Sequence, residues 1–362
     1  MKSKNNKSRL SAILVGSMLI LTLVLSGCGS TAPTAASSAG NNSSSAPAPA
    51  ETKVSFAGKT INFIVPFSPG GGFDAQTRLI GPYLEKETGA TVVVQNVPGG
   101  GSIVGSNKVY ESKADGLTIG MLGGSNLVYA KVSGTEGVKF DAGKYTYLAG
   151  VSDDPSVLIV TTKKPFNSMD DLKKQELKIA VTGVGEDDFY TWSAIAKAFG
   201  IKFKFVTGWE GASQWLAALA AGQVDGGMIS ASSGLPPIQN GYAKALLQVS
   251  PKRDYRYKDI PTALEIIPAN DPNRQTIQQL TDIVTPNHLI AASPGLGQAE
   301  TKVLRDAFDK VMKNQELLDK GEKSQRPFVY QTGTDLEKTL KTALTSVESL
   351  KPIFDEAAKS VK

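Results

Sequence analysis

The chain has 362 residues, 41% hydrophobic and 20% charged, with one Cys and one His. At roughly 100–200 residues per domain that length allows two or three domains, and the apolar fraction is ample for a core, which excludes wholesale disorder. A single Cys excludes an intramolecular disulfide, a Cys-based zinc site and an iron–sulfur cluster; a single His excludes a multi-histidine metal centre and leaves one base for any Ser–His or Cys–His nucleophile.

The formal net charge of +5 is concentrated at the start of the chain. Lys2, Lys4, Lys7 and Arg9 precede an apolar run from Leu10 to Leu25, the pattern of a signal peptide and too short for a comfortable membrane span. Leu25-Ser26-Gly27-Cys28 resembles the bacterial lipoprotein lipobox, which implies removal of residues 1–27 and lipidation of Cys28. Without those four basic residues the chain is near neutral, and its charge gives no reason to expect nucleic-acid binding. Residues 28–52 are mostly Ser, Ala, Pro, Gly, Asn and Thr, with Glu51 the one charge, a composition that behaves as a flexible tether. A lipid, a tether and then a folded body is the layout of a protein held at the membrane on its extracytoplasmic side.

The body starts near Lys53. Thr60–Pro66 reads as a buried strand, Ser68–Asp74 (S-P-G-G-G-F-D) as a turn, and Ala75–Thr88 as a helix with Leu79, Ile80, Tyr83 and Leu84 on one stripe. Ala90–Gln95 is a second strand, Asn96–Ser102 (N-V-P-G-G-G-S) a second glycine turn, Ile103–Ser112 a helix and Leu117–Leu122 a strand. The middle keeps the same grammar. Strands are expected at Ser156–Thr162, Leu177–Thr182, Lys202–Val206, Val224–Ile229 and Ala245–Val249. Helices are expected at Ser168–Lys174, capped by Ser168, at Phe189–Phe199 and at Ala212–Ala221. A strand at His288–Ala292 and helices at Gln298–Lys313 and Asp335–Ala358 close the chain. Repeated strand–turn–helix units predict an α/β fold with mostly parallel sheets flanked by helices.

Ile64-Val65-Pro66-Phe67-Ser68-Pro69-Gly70-Gly71-Gly72-Phe73-Asp74 resembles the first pocket loop of the tripartite tricarboxylate transporter receptors, also called Bug proteins. Asn96-Val97-Pro98-Gly99-Gly100-Gly101, followed by Gly105, resembles their second loop. Ala114-Asp115-Gly116-Leu117-Thr118-Ile119 is similar to their "PDGYTL" step, with Ala114 in place of Pro; Ala221-Gly222-Gln223-Val224-Asp225 is similar to "GGQVD", and Ser250-Pro251-Lys252-Arg253 matches "SPKR". These matches run in family order across roughly residues 60 to 350. The resemblance implies a type II-like periplasmic-binding-protein clamp of two domains, 53–150 plus 254–362 and 151–253, with the chain crossing the hinge twice. It implies a receptor that binds an organic carboxylate and delivers it to membrane permease subunits.

The residues themselves suit that role. Glycine turns let backbone N–H groups face one cavity, and each turn here runs into a helix start, where unsatisfied N–H groups and the positive dipole end coincide. The expected contacts are Ser68, Gly70, Gly71, Gly72 and Asp74 with Pro98, Gly99, Gly100, Gly101 and Ser102. Phe73 is expected to shield the cleft, and Ser125 and Asn126 to stand at its mouth. A bulky residue at Gly71 or Gly100 is expected to abolish binding. The resemblance implies a partly water-mediated clasp, with Gly183, Val184, Gly185, Glu186, Asp187 and Asp225 supplying the second domain's side. Trp209 is either a pocket wall or core, and His288 reads as structural. Where relatives carry small hydroxyl residues, as in "GSGSPGH", this chain has Gly183-Val184-Gly185-Glu186-Asp187-Asp188. Those acids either cap the following helix or face the cleft and favour one carboxylate with a distal ammonium or hydroxyl group.

No cofactor or metal is expected, and the clamp is expected to act as a monomer. Neither glycine loop carries the Lys of a P-loop and no G-x-S-x-G elbow is present, so an enzyme is the remote alternative. A receptor presenting its closed clamp to a sensor kinase uses the same fold and stays open beside transport.

Overall fold

The strand–helix alternation holds in the computed structural model, which describes residues 54–359 apart from 153, 185, 210, 285 and 286; the expected leader, Cys28 and the tether lie outside the described residues. The first stretch gives β1 (Thr60–Val65), α1 (Gly72–Thr88), β2 (Thr91–Asn96), α2 (Ile103–Tyr110), β3 (Thr118–Gly123), α3 (Gly124–Ser133) and β4 (Thr146–Ser152). The middle gives β5 (Ser156–Thr161), α4 (Met169–Leu172), β6 (Leu177–Ala180), α5 (Asp187–Phe199), β7 (Phe203–Val206), α6 (Ala212–Ala221), β8 (Gly226–Ser230), α7 (Ala231–Gln239) and β9 (Ala243–Val249). After a 3-10 turn at Tyr255–Tyr257 come α8 (Ala263–Ile266), α9 (Arg274–Ile283), β10 (His288–Ala292), α10 (Gln298–Val311), α11 (Gln315–Lys323), β11 (Gln331–Thr332) and α12 (Gly333–Lys359). Ser168 caps α4 as expected, accepting from the Asp171 amide.

Two sheets result, ordered β11-β4-β10-β3-β1-β2 and β7-β6-β8-β5-β9, one to each lobe of a two-domain periplasmic-binding-protein fold. Both are mixed, which corrects the expectation of mostly parallel sheets. β1 is parallel to β2 and β3, and β6 to β7 and β8, but β10 runs antiparallel to β3 and β4, and β5 antiparallel to β8 and β9. The reason lies in how the chain changes sheets. A parallel neighbour needs a crossover back to the far end. β5 instead enters the second sheet directly from β4, so Ser156 pairs with Ser230 at the end of β8. β10 re-enters the first sheet on the return, so His288 pairs with Gly123 at the end of β3.

Phe63, Val65, Ile80 and Leu84 pack with Leu304 and Phe308 to bury α1 and α10 against one face of the first sheet. Val157, Ile159, Trp215 and Leu219 do the same for α6 on the second. A third core runs between the lobes. Tyr190 of α5 stacks on Phe354 of α12 with ring centroids 4.4 Å apart and meets Tyr129 of α3 at 5.3 Å. These packings bring the ends of β1, β2 and β3, with their loops into α1, α2 and α3, against the loops after β6 and β8 where the two lobes meet.

Candidate functional site

The first glycine loop leaves β1 and enters α1 at Gly72, three residues earlier than expected, so Gly72, Phe73 and Asp74 form the helix's first turn. Its N-cap, Gly71, offers no side-chain cap to the first-turn amides. Asp74 braces the loop: its Oδ2 accepts from the Gly70 amide at 2.9 Å and its Oδ1 pairs with Arg78 at 2.9 Å. Burial pushes the Asp74 carboxyl up, but the hydrogen bonds from Arg78 and Gly70 outweigh it and hold it below the usual range. A carboxylate so engaged steadies the cradle. Phe73 packs between Phe67, at 4.2 Å, and His288, at 3.7 Å. His288 is structural, its Nδ1 bonded to Gln76 Oε1, and burial pushes its pKa down to about 4. Gly71 has extended backbone, φ −74°, and open room for a side chain, so the steric requirement expected there is not met.

The second loop is the stricter one. Gly99, Gly100, Gly101 and even Ser102 all have positive φ, winding the chain tightly into α2. Ser102 is buried at the N-cap without a side-chain cap. Ser125 and Asn126 lie in the first turn of α3, beside it. They and Gly101 meet the acidic loop of the other lobe. Ser125 Oγ donates to Asp187 Oδ2 at 3.1 Å, and Asn126 Nδ2 to Glu186 Oε2 at 3.2 Å. A Cβ added to Gly101 would overlap the Glu186 carboxyl.

The three acids therefore divide. α5 begins at Asp187, two residues before the expected Phe189, and Glu186 at its N-cap makes no capping bond. Asp188 braces its own loop, accepting from the Thr182 amide at 2.7 Å, Thr182 Oγ1 at 2.9 Å and the Phe189 amide at 2.8 Å. Glu186 and Asp187 point across the cleft. Burial, then the neighbouring acids, raise Glu186 well above the usual carboxylate range; burial raises Asp187, and burial with Asp187 carries Asp188 to about 7. Gly183 lies behind Glu186, Val184 is exposed, and Gly185 lies outside the described residues.

Asp225 is not at this site. It precedes β8, at the opposite end of the sheet from the acidic loop, where its Oδ1 pairs with Lys164 Nζ at 2.6 Å and its Oδ2 accepts from the Lys178 amide at 2.9 Å. Trp209 packs against the second lobe's core, its Nε1 donating to Val206 O.

The structure adds residues that the sequence pattern did not single out. Arg326 brings a buried, unpartnered Nη1 to 3.1 Å from the Cβ position of Gly72, with Ser232 Oγ at 3.9 Å from the same point. Buried Asp154 holds Ser232 N at 2.9 Å, Arg256 Nη2 at 2.8 Å and, through its carbonyl, Asn287 Nδ2 at 3.1 Å. The Asp153-Asp154-Pro155 step between two apolar runs was the one visible trace of this cluster. Among the described residues no group of three His, Cys, Asp or Glu side chains is arranged to hold a metal ion.

The family model described as "Tripartite tricarboxylate transporter family receptor" matches residues 77–318, taking in the second glycine loop and the acidic loop. The chain is 26% identical over 228 residues to Protein BugT of Bordetella pertussis, covering 61% of this chain and 69% of that protein. Its fold is similar to that of MatC from Rhodopseudomonas palustris with bound malate, at a TM-score of 0.68 and 19% identity over 82% of this chain and 100% of that one. It is similar also to an R. palustris protein with adipate, at a TM-score of 0.70 and 18% identity over 82% of this chain and 98% of the other.

Proposed function

The chain belongs to the tripartite tricarboxylate transporter receptor family, a family of binding proteins and not of enzymes, and from that premise we propose that it captures an organic carboxylate between its lobes and delivers it to membrane permease subunits. The lobes are divided as 53–150 plus 254–362 and 151–253. Lipidated at Cys28 and tethered by residues 28–52, the receptor works as a monomer at the extracytoplasmic face of the membrane. The observation that carries the reading is the pairing of glycine loops: two adjacent strands, β1 and β2, end in loops that enter helices with no side-chain cap, facing one cleft. Their free amides and the α1 and α2 dipoles supply the positive field that a carboxylate needs. The amides of Ser68, Gly71 and Gly72 and those from Gly99 to Ser102, with Ser125 and Asn126, form the first lobe's side; Gly183, Val184, Glu186 and Asp187 form the second's. The malate and adipate held by two fold relatives support the same ligand class.

A thermal-shift panel tests this. Ligand that binds only the folded state stabilises it by RT ln(1 + [L]/Kd), about 2.7 kcal/mol at a hundredfold excess over Kd. Carboxylates should raise the melting temperature, and Gly101→Val should abolish the shift. A panel in which sugars or inorganic cations move the transition and no carboxylate does would refute the reading.

A further inference from the structure

Buried charges in proteins are paired, because an isolated ion in a low-dielectric site is costly. Glu186 and Asp187 break that pattern. Both face the cleft, and among the described residues neither they nor Asp188 forms an ion pair with Lys or Arg. Their partners across the cleft are neutral donors, Asn126 Nδ2 and Ser125 Oγ, at 3.2 and 3.1 Å. One unsatisfied group flanks the first glycine loop: Arg326 Nη1 is a buried N–H donor with no partner. A cationic donor is thus left unmet beside the amide cradle of α1.

We propose that the ligand is a zwitterionic amino carboxylate, its carboxylate on the α1 amides and Arg326 and its ammonium on Glu186 and Asp187. This rests on the reading of the cleft as a carboxylate receptor and narrows it. An ammonium brings three donors in a compact charge and replaces the long neutral contacts to Asn126 and Ser125 with shorter charge-assisted ones. A second ligand carboxylate would instead meet Glu186, which already lies over Gly101 in the second loop's cradle. Burial favours the protonated acids when the cleft is empty; an ammonium returns them to the charged form, so binding releases protons.

Isothermal titration with 4-aminobutyrate, 5-aminopentanoate and L-alanine against butyrate, succinate and adipate tests the assignment. In the wild type at least one amino carboxylate should bind tenfold or more tighter than every uncharged-tail or dianionic acid. Glu186→Gln and Asp187→Asn should each cut that preference at least tenfold and relatively favour the dianions, with circular dichroism confirming the fold. A wild type that prefers succinate or adipate, or shows no preference for the ammonium group, overturns this inference while leaving the carboxylate receptor standing. A protein that takes up no carboxylate of either class overturns both.

Discussion

At the scale of single residues, Gly101 and Glu186 form a pair whose energetics can be separated. Gly101 sits at φ +62° and lies under the Glu186 carboxyl. Gly101→Ala therefore meets two penalties, left-handed backbone strain of about 1–2 kcal/mol and a steric overlap. In a Glu186→Ala background only the strain remains, so a double-mutant cycle read by urea midpoints should give a coupling of about 1 kcal/mol or more. Additivity would mean that the two residues do not touch. His288 and Glu186 should also shape the pH profile in opposite senses. Burial lowers the His288 pKa from 6.5 to about 4, so the unfolded chain binds the extra proton and stability falls as pH drops from about 6.5 toward 4. The Glu186 carboxyl is raised above 4.5, so the folded chain binds the extra proton and stability falls as pH rises above that value. Glu186→Gln should lessen the fall on the neutral side, to which the raised Asp187 and Asp188 also contribute, and leave the acid side intact; denaturation at pH 4.5, 6 and 8 would show whether it does.

At the scale of elements, α2 depends on a residue that the sequence pattern had already picked out. A Cβ on Gly105 would stand 2.6 Å from Pro66 Cβ and 2.7 Å from the Val97 carbonyl, so the helix approaches the ends of β1 and β2 only because Gly105 has no side chain. Gly105→Ala should cost about 1–3 kcal/mol and weaken carboxylate binding by shifting the second loop, measurable by melting temperature and titration together. The elements legible in the sequence were those with strong local signals. The β-branched run of β1, the Ala-rich α6 and the apolar β10 fell where their composition placed them. β4, α3 and α7 were not visible. Residues 146–152 have few β-branched positions, Gly124–Ser133 carries its cap-type residues Ser125 and Asn126 inside its first turn and not at its N-cap, and α7 carries Pro236 and Pro237 within its span. In the site, glycine loops announce themselves through composition. Arg326 arrives from a segment remote in sequence and could be brought to the first glycine loop only by the fold. The orientation of Glu186 was open for the same reason, because a capping acid and a cleft-facing acid have the same sequence.

For the whole molecule, the decisive contact is the one that ties the two crossings between lobes. Asp154 lies on the first crossing, between β4 and β5; Asp254 and Arg256 lie on the second, after β9. Arg256 Nη2 is 2.8 Å from Asp154 Oδ1 and 2.7 Å from Asp254 Oδ2, and its side chain is 5% exposed. Asp154 also accepts from the amide of Ser232, at the start of α7, and so fixes the end of β8 beside the first glycine loop. This cluster ties the strands on either side of it, while Tyr129, Tyr190 and Phe354 pack α5 of the second lobe against α3 and α12 of the first. Removing one partner of a buried ion pair leaves the other charge uncompensated, at a cost of about 3–5 kcal/mol. Arg256→Met should therefore lower the unfolding free energy from urea titration by that amount and loosen the lobes, increasing the radius of gyration of the ligand-free protein in solution scattering. Adding Asp154→Asn should recover part of the loss, because the stranded carboxylate is then gone. Phe354→Ala should also destabilise, by about 3–5 kcal/mol for a buried aromatic, without that recovery. If Arg256→Met instead left both unfolding free energy and radius unchanged, the aromatic contact alone would set the angle between the lobes, and the ion pair would be dispensable to the clamp.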